Sequence, residues 1–261
     1  SLAIERQDPV RILLINPNTS TSLTALLSNA ARRVASESTV LDEVTATRGV
    51  PYISTRSEAL LAGVELLEIL ARRRQDYDAA IVAAFGDPGL GAARELFDLP
   101  VVGLAEAGML TACMLGKRFA IVTFSTALGP WYRECLEWHG LKDRSAGIFT
   151  LDEPFDDIAT VQGDKTEMLV RLSNRAITEG EADVIVLAGA PLAGLAAKVR
   201  DRLPVPVVDC AEAAMKQAEA LAALRPAPPR AGTFRRPDPK SSIGLAPVLA
   251  DYIAHRCDRA S

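Results

Sequence analysis

The sequence predicts a doubly wound α/β protein built from two pseudo-symmetric halves, each a mostly parallel sheet flanked by helices. Three observations carry the prediction. Short runs rich in Val, Ile and Leu alternate with longer amphipathic stretches along the chain, the pattern of βα units around a sheet. The apolar runs lack polar alternation, so their strands are covered on both faces, as in a parallel sheet. Three sequence blocks recur later in the chain, in the same order and at nearly constant spacing.

The elements follow in order. "RILLIN" (11–16) reads as a strand stopped by Asn-Pro-Asn, with an amphipathic helix over 20–36. "VLDEVTA" (40–46) is the second strand and 57–74 the next helix. "AAIVAAF" (79–85) and "VVGL" (101–104) complete the first set of strands. "FAIVTF" (119–124), "AGIFTL" (146–151), "VIVLAG" (184–189) and "VPVVDC" (205–210) form the second, with helices at 166–179 and 211–224. The repeat ties the sets together. "RILLINPNTS" from Arg11 lies over "RFAIVTFSTA" from Arg118, an offset of 107. Asp78 lies over Asp183 and Ala84 over Gly189, an offset of 105, and Glu106 lies over Glu212. The expected division is a first half over 1–105, completed by 213–261, and a second half over 106–212. Ligands of such sheets bind beyond the carboxyl ends of the strands, which places a cleft between the halves.

Composition excludes several classes. The 261 residues suffice for a proper core. A net charge of −4 with interspersed signs gives no basic face for nucleic acid. The apolar runs are too short for a membrane span, and no charged-then-apolar leader begins the chain. The expected setting is the cytoplasm. Four scattered cysteines and two histidines show no metal or disulfide spacing, so no metal is expected. Neither a phosphate loop, a dinucleotide fingerprint nor a nucleophile elbow is present, so no cofactor is expected.

The candidate site lies at the strand tips. Asn16, Asn18 and Thr19 in "INPNTS" offer amide and hydroxyl donors at a helix N-terminus, suited to a carboxylate or ureide carbonyl. Their repeat partners are Thr123, Ser125 and Thr126. The plainer reading makes Asn18 or Thr19 a helix cap. Asp87, in "GDPG", reads first as the cap of the helix that Pro88 begins, and second as an ionisable group beside the tip. Cys210, in "VDCAEA", stands at another strand-to-helix turn, where the helix dipole would lower a thiol pKa. Glu106 and Glu212 fall early in helices. Tyr52 is placed to reach over a cleft, and His139 reads as a helix end before a Gly cap.

"RILLINPNTS", "FGDPGLGAARELFDLPVVGLAEA", "MLGKRFAIVTFS" and "PVPVVDCAEAA" together resemble the hydantoin racemase branch of the aspartate/glutamate racemase superfamily, over about residues 10–250. The resemblance implies a cofactor-independent homo-oligomer that moves a proton on a carbon next to a carbonyl. It also implies two cysteines, one at a strand tip in each half, serving opposite faces of that carbon. In this chain those positions are Ala84 and Gly189. Ala84, Phe85, Gly189 and Ala190 are therefore expected to line the substrate, with Asp87 and Cys210 the candidate acid/base groups. Three functions are compatible: a racemase acting on a hydantoin-like or amino-acid-like carbon acid through other groups; a cysteine-independent lyase, decarboxylase or hydrolase on the same cavity; and a non-catalytic metabolite-binding protein.

Overall fold

A computed structural model describes residues 9–259; positions 1–8 and 260–261, at the outer ends of the expected first half, lie outside the described residues. Among the described residues, eight strands form two four-stranded parallel sheets. β1 (Val10–Asn16), β2 (Thr39–Thr45), β3 (Ala79–Val82) and β4 (Val101–Gly103) run in the order β2-β1-β3-β4. β5 (Phe119–Thr123), β6 (Ser145–Thr150), β7 (Val184–Leu187) and β8 (Val207–Asp209) repeat it as β6-β5-β7-β8. The equivalence read from the sequence is therefore also an equivalence of strand order. Each sheet starts at an inner strand (β1, β5), steps to the edge (β2, β6), then crosses back over the first strand and moves outward, the doubly wound arrangement.

Nine α-helices cover the sheets among the described residues: α1 (Thr21–Val34), α2 (Arg56–Arg73), α3 (Leu90–Leu96), α4 (Leu104–Leu115), α5 (Gly129–Trp138), α6 (Val161–Thr178), α7 (Leu195–Val199), α8 (Cys210–Leu224) and α9 (Pro247–Ile253). Local chemistry sets their starts. Ser20 caps α1 by accepting from Leu23 N, and Thr55 with Glu58 forms a capping box on α2. Ser20, and not Asn18 or Thr19, is thus the α1 cap. The strands read to 85 and 189 end earlier, at Val82 and Leu187. Ala83 N and Ala188 N make the last ladder-like bonds, to Ile15 O (2.8 Å) and Val122 O (2.9 Å), before the chain turns away.

The two sheets share their helices. α8 follows β8 but packs on β1, β3 and β4 as well as on α1 and α4, while α4 follows β4 and packs on β7 and β8. Ile12, Leu14 and Ile81 from one sheet and Phe119, Ile121 and Val186 from the other belong to one continuous core. α9 packs on α2, bringing the tail back to the first sheet. No helix among the described residues is long and apolar enough to cross a membrane.

Candidate active site between the strand tips

The two positions that the repeat placed at equivalent strand tips come together. Ala84 and Gly189 line one cavity, with Asn18, Tyr52, Phe85 and Tyr132 among its other walls. Its volume is about 20 Å³, room for roughly one water molecule, so a larger ligand enters only if a wall moves. Of the lining residues, Tyr52 and Tyr132 alone carry an ionisable group.

The walls are largely aromatic. Phe85 meets Tyr132 at 4.5 Å between ring centroids, and Tyr52, Phe124 and Phe155 contact one another at 5.5–6.0 Å. The Tyr52 hydroxyl is buried and has no hydrogen-bond partner. Burial, assisted by the charge of Glu58, pushes its pKa up. Tyr132 is held well above the ordinary phenol value by burial first, then by neighbouring Tyr52 and cysteines. Both phenols are therefore neutral O–H donors at physiological pH. Gly189 has φ +111°, and a Cβ there would stand 2.8 Å from Phe124 Cε1. Glycine is thus favoured by the backbone and by the ring behind it, and a side chain there would be strained.

The donor turns are used mainly to hold themselves. Asn16 is fully buried, and its Nδ2 donates to Asn18 Oδ1 (3.0 Å), Ser20 O (3.0 Å) and Thr24 Oγ1 (2.9 Å). That leaves Asn18, of this turn, in the cavity wall. Thr19 N donates to Val50 O at 3.0 Å, tying the turn to the loop that carries Tyr52. Thr123 Oγ1 donates to Ala188 O at 2.8 Å, bracing the chain just before Gly189. Ser125 caps the short turn 126–128, and Thr126 is exposed with Asp152 as its neighbour. Ala190 lines the cavity beside Gly189. Thus Asn18, Ala84, Phe85, Gly189 and Ala190 converge on the cavity, Asn16 and Thr123 support it, and Thr19, Ser125 and Thr126 lie outside its lining.

Both candidate acid/base groups point elsewhere. The Cys210 thiol is fully enclosed and contacts Leu187 O at 3.4 Å. It packs so closely on α4 that a Cβ on Gly108 would lie 2.6 Å from its sulfur. Burial first, then the charges of Asp209 and Asp87, push its pKa well up, the reverse of the lowering expected from the helix dipole. Asp87 does not cap the helix after it; Gly89 starts α3. Its carboxylate reaches across to cap α4, accepting from Ala105 N (2.8 Å) and Glu106 N (2.9 Å). The repeat explains the exchange. In the second half Asp209 caps α8 from the strand end itself, accepting from Ala211 N and Glu212 N. The matching position in the first half is Gly103, where any Cβ would collide with the Asp87 carboxylate.

His139 is the α5 C-cap, as its Gly140 neighbour foretold, but it does more. Its Nε2 lies 2.9 Å from Asp87 Oδ2 and its Nδ1 3.6 Å from Glu106 Oε1. Burial disfavours the charged ring, yet the hydrogen bonds with Asp87 and Glu106 outweigh it and hold the pKa at about 9. Glu106 is likewise held at about 2, because hydrogen bonds from His139 and Arg94 overcome its burial. Tyr132 had no signal in the sequence; its position in α5 brings it to Gly189 only through packing.

Comparison with known proteins decides the family. The family described as Asp/Glu/Hydantoin racemase matches residues 12–218. Hydantoin racemase of Paenarthrobacter aurescens is 34% identical over 243 residues, covering 90% of this chain and 100% of that one. The chain belongs to the Asp/Glu/hydantoin racemase family. Among solved structures, allantoin racemase from Klebsiella pneumoniae superposes with a TM-score of 0.86 at 37% identity, covering 92% of this chain and 98% of that one. Allantoin racemase from Pseudomonas fluorescens gives 0.84 at 33% identity, covering 90% and 100%. Within this family fold, the present chain offers its cleft two neutral phenols, an amide and an aromatic wall, with alanine and glycine at the strand tips.

Proposed function

We propose that the protein is a racemase-type enzyme of a small carbon acid, a cyclic ureide of the hydantoin kind, and that Tyr52 and Tyr132 handle the proton at the reacting carbon. The observation that carries this reading is the Tyr52 hydroxyl, buried without a partner in the residue pair that walls the strand-tip cavity. An unpaired buried hydroxyl costs about 1–3 kcal/mol; a bound carbonyl oxygen would satisfy it. The substrate class is supported by the hydantoin and allantoin racemases that match along most of the chain. Removing a proton beside a carbonyl moves negative charge onto that oxygen, and preorganised O–H donors in an enclosed, aromatic-walled site stabilise it. With no thiol at 84 or 189, the proton-abstracting group is a phenolate, scarce at neutral pH because both phenols are pushed up. The reading requires no cofactor.

The bare strand tips favour a second reading, a lyase or decarboxylase. A substrate that forms its enolate by losing a group such as carbon dioxide needs no base, only one proton from a phenol. Proton NMR in deuterated buffer with 5-substituted hydantoins and allantoin separates the two. Loss of the C5 proton from otherwise intact substrate, slowed in Tyr52→Phe, is the expected result. New products would favour the lyase. Saturable thermal stabilisation with neither exchange nor products would overturn both and leave a binding protein.

A further inference from the structure

A second pocket, about 440 Å³ in volume, opens between the turn carrying Asp87 and helix α5. On its walls stand buried Asp87 and Cys135 and half-buried His139, whose side chain is only 3% exposed, with one ligand-type atom apiece all within 4.8 Å of one another. Cys135 on α5 and the helix's C-cap His139 are four residues apart, so thiol and imidazole project to the same side at the helix end. We propose that Asp87, Cys135 and His139 form a binding site for a zinc-like divalent ion, with the pocket as its entrance and its fourth coordination position.

The donor set is the argument. A thiolate, an imidazole and a carboxylate are the ligands a tetrahedral zinc takes, and three protein ligands leave one place open. The present His139 Nε2 to Asp87 Oδ2 separation is 2.9 Å, against roughly 3.3 Å between two such ligands on a tetrahedral ion. That pair needs to open by only a few tenths of an ångström, and the Cys135 thiol, within 4.8 Å of both, supplies the third side. The supporting shell is already in place. Glu106 faces His139 Nδ1 and is itself held by Arg94, whose Nη1 donates to Glu106 Oε1 at 2.9 Å. This carboxylate–histidine arrangement fixes ring orientation behind a metal. Asp87 is oriented by the Ala105 and Glu106 N–H groups, which still leaves lone pairs on its oxygens. On binding, the thiol proton and the His139 Nε2 proton leave to solvent and the ion takes their places. The ion would pin α5 to the turn that follows Ala84 and Phe85. Trp131, which walls both this pocket and the strand-tip cavity, lies between the two sites.

Cobalt(II) titration of the purified metal-free protein, followed optically and then by zinc competition, tests the site. One cobalt per chain with a near-ultraviolet thiolate charge-transfer band, displaced by zinc, is expected. Cys135→Ser should abolish the band while Cys113→Ser and Cys257→Ser retain it. Glu106→Gln keeps all three ligands and should weaken binding by about 10–100-fold, which guards against a ligand variant that merely misfolds. Absence of saturable binding in the unaltered protein, or a band that survives Cys135→Ser in folded protein, would overturn the proposal.

Discussion

Placing a thiol at Gly189 is the most informative perturbation of the cleft. The residue holds φ +111° and ψ 140°, a region that side chains rarely adopt, and forcing one there costs about 1–3 kcal/mol. The new Cβ would stand 2.8 Å from Phe124 Cε1, about 0.7 Å inside ordinary carbon contact. Phe124 is fully buried and braced by Tyr52 and Phe155, so it cannot simply swing away; overpacking adds about 1–3 kcal/mol. Gly189→Cys is therefore expected to lose about 3 kcal/mol, lowering the thermal midpoint by about 6–12 °C. Ala84→Cys, which adds one sulfur at a position already bearing a Cβ, should lose no more than about 1 kcal/mol. Urea unfolding and thermal scans of both variants and the pair measure this. The pair should also fail to gain hydantoin exchange beyond that of Ala84→Cys alone, because the backbone at 189 does not accommodate the second thiol. A Gly189→Cys midpoint within about 2 °C of the parent, or full two-thiol exchange in the pair, would refute the reasoning.

Tyr52→Phe should raise stability by about 1 kcal/mol, since it removes a buried hydroxyl without a partner, yet lower exchange at least about tenfold; a variant that loses both, or keeps both, contradicts the assignment. Because burial pushes both phenols up, the phenolate grows with pH, so the exchange rate should climb about tenfold per pH unit from 7 to 10 without a plateau. A plateau near neutrality would point to another base. Gly103→Ala should destabilise by about 3 kcal/mol, from overpacking plus a displaced cap on α4. Moving the carboxylate, as Gly103→Asp with Asp87→Gly, should lose less than the two single changes summed, read from a double-mutant cycle in urea; strict additivity would reject the exchanged cap.

Much of this protein was legible in its sequence. Unbroken apolar runs such as "ILLIN" and "AAIVAAF" could only be buried parallel strands, and the recurrence of three blocks announced two halves with equivalent tips. Those signals are local or repetitive, which a chain displays without folding. Ala84 and Gly189 were marked as equivalent strand-tip positions by the repeat, and the resemblance implied that they, Phe85 and Ala190 face the substrate; the structure puts them with Asn18 on one small cavity. What the tertiary structure decided was where side chains go once backbone donors are satisfied. Asp87 sits in a sequence that reads as a cap for its own helix, yet it caps α4, since Gly103 leaves the space and Ala105 and Glu106 present the N–H groups. Cys210 stands at a helix start, yet dense packing against Gly108 outweighs the dipole and keeps the thiol protonated. Tyr132 carried no sequence signal and His139 only that of a helix end, and packing of α5 into the core brings the one to Gly189 and the other to Asp87. Pattern and repetition determined the strands, the halves and their meeting place; long-range packing and the satisfaction of buried polar groups determined which atoms meet there.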